Sequence, residues 1–131
     1  MGEALETAAA AAHEWLRSLE TRPVNAAQDV DEVAATLRRP FPDEGLRASD
    51  VVRELVAGVT PGLIATPSGR YFGWVRGGVL DSALAADWLT GAWDQNASLL
   101  AGSPAGAAVE RVASEWILDV LGLPARASVG F

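Results

Sequence analysis

The chain has no cysteine, so disulfides, a thiolate nucleophile and cysteine-held metals are all excluded. It also has no lysine: all 10 basic residues are arginine, so these 131 residues cannot form a Schiff base with a carbonyl substrate or cofactor. Histidine occurs once, at position 13. A lone histidine on a helix edge has no partner of the kind that a triad or a metal site needs, and a structural or surface role is favoured for it. Positive charge is scarce too. Seventeen acids against 10 arginines give a net charge of −7, and the arginines form no stripe. Nucleic acid and anionic membrane surfaces are held mainly by clustered positive charge, so neither is an expected partner. No apolar run reaches the ~18 residues that suggest a membrane span. The first residues, MGEALETAAAAAHEWL, lack the basic leader of a secretory signal. The expectation is a soluble cytoplasmic protein.

What is present is a globular balance, half hydrophobic and 21% charged, in a chain of one-domain length. The periodicity predicts five helices. Residues 3–20 carry Leu5, Ala8, Ala12, Trp15 (or Leu16) and Leu19 at helical steps, and Pro23 follows. Residues 29–39 form a second helix, with Asp29 as cap, Glu32 three residues on, and Val30, Val33 and Leu37 as its apolar side. A third is capped by Ser49, with Asp50 in its first turn, and ends before Thr60-Pro61-Gly62. A fourth runs from Asp81 or Ser82 to about Trp93 and is apolar nearly all round, which predicts burial on every side. Asp87 is its one interior acid, expected to be either paired structurally or functional. The fifth opens on Ser103-Pro104 and closes at Gly122 before Pro124. Val109, Val112, Trp116 and Val120 line one of its faces, and Glu110, Arg111, Glu115 and Asp119 are expected to stay wet. Ser128-Val129-Gly130-Phe131 reads as the beginning of a strand, as if the chain were cut at the entry to a sheet. The segment as a whole is mostly α. It divides into N-terminal helices at 1–62 and, at 63–131, a loop with two helices.

The stretch RYFGWVRGGV, Arg70 to Val79, fits neither helix nor ordinary loop. Its glycines match no dinucleotide fingerprint or P-loop. Trp74 stands among them, whereas Trp15, Trp88, Trp93 and Trp116 occupy helical apolar positions, where packing is the expected role. At about 25 cal/mol/Å², each buried tryptophan contributes on the order of 4–6 kcal/mol. Five such anchors call for a larger surface than five short helices enclose.

The run PSGRYFGWVRGGVLDSALAADWLTGAWDQNASLLAGSPAGAAVERVASEWILDVLGLP, Pro67 to Pro124, resembles the amino-terminal region of the pyridoxal-phosphate-dependent decarboxylases of the aromatic-amino-acid and glutamate decarboxylase group. The shared order is a proline-aromatic-aromatic segment, an L-A-A-D-W-L helix, Q-N, S-P opening a helix, and W-I-L-D-V-L-G-L-P. PDEGLRASDVVRELVAGVTPG fits the approach to it. The resemblance implies the helical N-terminal part of a fold-type-I enzyme, α/β as a whole and dimeric, that removes the α-carboxylate of a small amino-acid substrate. It implies that the first helices wrap onto a second subunit, or onto a complementary C-terminal chain. Phe72, Trp74, Val75 and Gly77 would form part of the substrate-pocket wall, with Asn96 and Ser98 reaching the substrate from the neighbouring subunit. Val75 and Arg76 stand where aromatic-acid decarboxylases carry an aromatic residue and a proline. An acidic substrate facing Arg76, or an outward-facing Arg76, are both open readings. The family's cofactor contacts, its lysine included, fall beyond the position matching Phe131, so the resemblance implies a chain inactive alone and dependent on pyridoxal 5'-phosphate held elsewhere. The alternative from the residues alone is a non-catalytic helical dimerisation or interaction module.

Overall fold

The computed structural model describes residues 2–96 and 99–131. Among the described residues it is all helical: α1 (Gly2–Ser18), α2 (Val30–Leu37), α3 (Ala48–Val59), a 3₁₀ turn (Thr60–Gly62), α4 (Asp81–Trp93) and α5 (Pro104–Val120). Residues 128–131 form no strand, contrary to the sequence expectation. The chain divides into two compact units, Met1–Val79 and Leu80–Phe131. The stretch 63–79 therefore sits with the first three helices.

In the first unit α3 is central, packing against both α1 and α2. Arg47, just before α3, bonds Glu3 at the start of α1 (2.7 Å). The segments that follow these helices also meet, through Ala27 N–H to Pro61 O at 2.8 Å and Ala65 N–H to Val24 O at 2.9 Å. Helices α1 and α3 thus run in the same sense. Helix α2 runs the other way: Val33 lies against Gly62, Leu37 against Gly58, and Arg39 pairs with Glu54. Two glycines let α2 approach. A Cβ on Gly58 would lie 2.6 Å from Leu37 Cδ2, and one on Gly62 would lie 2.6 Å from Val33 Cγ2.

The helix starts follow their sequence signals where a side chain can reach the free N–H groups. The Asp29 carboxylate accepts from Asp31 and Glu32 N–H, both at 2.9 Å, and Glu32 accepts from Asp29 N–H at 2.9 Å, a complete capping box. Ser103 is fully buried and accepts from Gly106 N–H at 3.0 Å. The third helix departs from expectation. It begins a residue earlier, at Ala48, with Arg47 in the cap position and no side-chain cap bond, so Ser49 is a buried first-turn residue and not the cap.

In the second unit α5 ends in a Schellman motif. Leu123 N–H reaches Leu118 O (2.8 Å) and Gly122 N–H reaches Asp119 O (3.0 Å), with Gly122 at φ +64°. Helices α4 and α5 do not pack on one another among the described residues. The burial predicted for α4 is therefore not seen among the described residues. Trp88, Leu89 and Trp93 are all exposed, as is Asp87, which forms no ion pair among the described residues. Helix α5 likewise turns Val109, Val112, Trp116 and Val120 to solvent, whereas Glu110 is half-buried and Leu118 is buried. Among the described residues the buried apolar side chains are Ala65 and Leu118. No helix is long and apolar enough to cross a membrane.

Candidate functional site

The loop that follows the 3₁₀ turn is tied at its start and free at its tip. Arg70 donates to Leu19 O (3.0 Å) and Arg22 O (2.6 Å), placing a guanidinium on carbonyls just past the end of α1. A cation suits that position, because the C-terminal carbonyls of a helix carry partial negative charge. Beside it Arg22 stacks on Trp15, 3.6 Å from the ring centroid, and donates to Ser18 Oγ at 2.9 Å. Ser68, itself buried, accepts from Arg70 N–H at 3.2 Å. Arg70 is thus a structural clamp, a role the sequence did not disclose because its partners lie about fifty residues away.

Beyond the clamp the chain projects. Phe72 is 93% exposed, Trp74 90%, and Val75 is fully exposed. Tyr71 packs under the turn at Gly73, where a Cβ would lie 2.8 Å from its hydroxyl. Trp74 has φ +55°, a left-handed conformation that costs a bulky L-residue about 1–2 kcal/mol. Gly77 has open space where a side chain would go, and Arg76 is exposed. A left-handed backbone that bears exposed apolar side chains is unusual, and it makes this loop the candidate site of the first unit.

Of the residues that the resemblance points to in the second unit, Asn96 is exposed in the segment after α4, and Ser98 lies outside the described residues. Asn96 follows Asp94, whose φ of +46° and N–H bond to Thr90 O at 3.2 Å turn the chain out of α4.

One concave feature of the first unit escaped the sequence reading. An open groove of about 410 Å³ lies between Leu16, Leu19 and Glu20 at the end of α1 and the segment 67–70. Its arginine is already committed to backbone carbonyls, which leaves Glu20 as its charged group. Among the described residues no cluster of three or more histidines or acids could hold a metal ion. No family model, curated protein or solved structure matches this chain.

Proposed function

We propose that this chain is the amino-terminal helical part of a pyridoxal-phosphate-dependent amino-acid decarboxylase, a cytoplasmic dimer in which loop 72–77 forms one wall of the substrate pocket. The observation that carries the reading is the coincidence of two features in Pro67–Pro124. This run holds the ordered family-like residues, and it presents Phe72, Trp74, Val75 and Trp93 to solvent. Side chains of this size are expected to bury against another surface, here a second subunit and a larger cofactor-bearing domain.

The residues in hand do not fit the cofactor itself. With no lysine there is no amine for its covalent attachment. Bound elsewhere, pyridoxal phosphate supplies the electron sink for loss of the carboxylate. The contribution of this chain is the pocket wall: Phe72, Trp74 and Val75 exclude water from one side of the substrate, and Gly77, with open space where a side chain would go, lets backbone come close.

The test is to tag the chain in its native host, purify it gently, and assay released pyridoxal phosphate together with carbon dioxide formed from carboxyl-labelled amino acids. The expected preparation contains both the cofactor and the activity, and Trp74→Ala keeps the cofactor while lowering kcat/KM at least about tenfold, or 1.4 kcal/mol. A preparation with neither cofactor nor carbon dioxide release would overturn the reading. It would favour a non-catalytic interaction module, which the missing lysine and the solvent-facing stripe of α5 also support.

A further inference from the structure

Helix α5 carries a surface whose chemistry specifies its partner. At about 100° per residue, Val109, Val112, Trp116 and Val120 fall within an arc of about 80°, a straight stripe about 17 Å long. All four are exposed, Trp116 to 70%. Glu115 and Asp119 edge the stripe along one margin, whereas the other margin is formed by Ala113 and Ile117, with half-buried Glu110 about 80° beyond Val120. The helix's one base, Arg111, falls near the opposite side, towards Leu118. Among the described residues none of the three carboxylates has an ion-pair partner, whereas Glu3, Glu14, Asp50 and Glu54 of the first unit are all paired with arginines.

We infer that this face of α5 docks an amphipathic helix of a partner protein whose apolar stripe is edged by arginine or lysine. A straight apolar ridge three turns long fits the side-chain ridges of a second helix. The acidic margin selects a basic one: it speeds encounter and penalises like-charged partners. A second copy of α5 is disfavoured, because it carries no basic margin to meet Glu115 and Asp119 and each chain stands at −7. The inference goes beyond the decarboxylase reading and does not depend on it.

Two fluorescein-labelled 18-residue helical peptides test it, sharing a leucine stripe and edged either by arginine or by glutamate. Each is titrated into the full chain and followed by anisotropy. The arginine-edged peptide is expected to bind at least about tenfold tighter at low salt, with most of that preference lost near 0.3 M, where the Debye length is only a few ångströms. The double variant Glu115→Gln/Asp119→Asn should remove the preference. Glu6→Gln/Glu20→Gln, with the same change in net charge, should leave it nearly intact. Trp116→Ala should weaken binding at least about tenfold, with circular dichroism confirming that each variant stays helical. Equal binding of the two peptides, binding of neither, an equal effect of the remote variant, or indifference to Trp116→Ala would each overturn the inference.

Discussion

Gly62 and Gly58 meet the same helix at the same distance, yet they should respond differently to a methyl group. At Gly58 the obstructing atom is the tip of Leu37, a flexible and partly exposed side chain. It can swing aside, and alanine inside a helix gains up to about 1 kcal/mol over glycine. At Gly62 the obstruction is Val33, whose β-branched side chain has little rotamer freedom. Gly58→Ala is therefore expected to be neutral or stabilising. Gly62→Ala should cost about 1–3 kcal/mol in urea denaturation. Equal effects would mean that α2 shifts as a body. Trp74 is the opposite case, a large aromatic that the fold holds at a cost. Trp→Ala in a core typically loses about 3–5 kcal/mol. Trp74→Gly should change stability by less than about 0.5 kcal/mol, since it relieves the positive φ and surrenders almost no buried area. A loss on the core scale would show that the ring is packed in solution.

Among the elements, the parts legible in the sequence were those decided by neighbours within a few residues. Asp29 with Glu32, Ser103 with Pro104, and Gly122 before Pro124 each satisfy helix-end groups locally, and all three appear in the structure as read. Asp29→Ala should accordingly cost about 1 kcal/mol of stability. Combining it with Glu32→Ala should cost less than the sum of the singles, because the box is reciprocal and either change opens it. Strict additivity would indicate two independent caps. What the sequence left hidden depends on long-range placement. The α1 clamp by Arg70 and the close approach of Val33 to Gly62 join residues far apart in the chain. The predicted burial of α4 failed for a related reason. Apolar composition all round a helix states that it needs cover, not that its own chain supplies it. For the candidate site, the exposed aromatic-glycine loop was legible as an anomaly at 70–79, but its left-handed tryptophan was not.

At the scale of the whole chain, helices differ in what holds them. Helix α3 packs against two neighbours and the 3₁₀ turn, whereas α4 and α5 lack each other's support among the described residues. A helix of α4's length is marginal in water without tertiary packing, because nucleation is costly and propagation over 13 residues barely offsets it. Local opening free energies should follow the same order. In native-state hydrogen exchange on the intact chain, α3 amides are expected to be the slowest and those of α4 the fastest, with α5 between them because both of its ends are capped. A partner that covers the α5 stripe should slow exchange in α5 and leave α3 unchanged. Uniform protection across all five helices would show instead that the chain unfolds as one cooperative body, and the exposed faces of α4 and α5 would then need an explanation other than a missing neighbour.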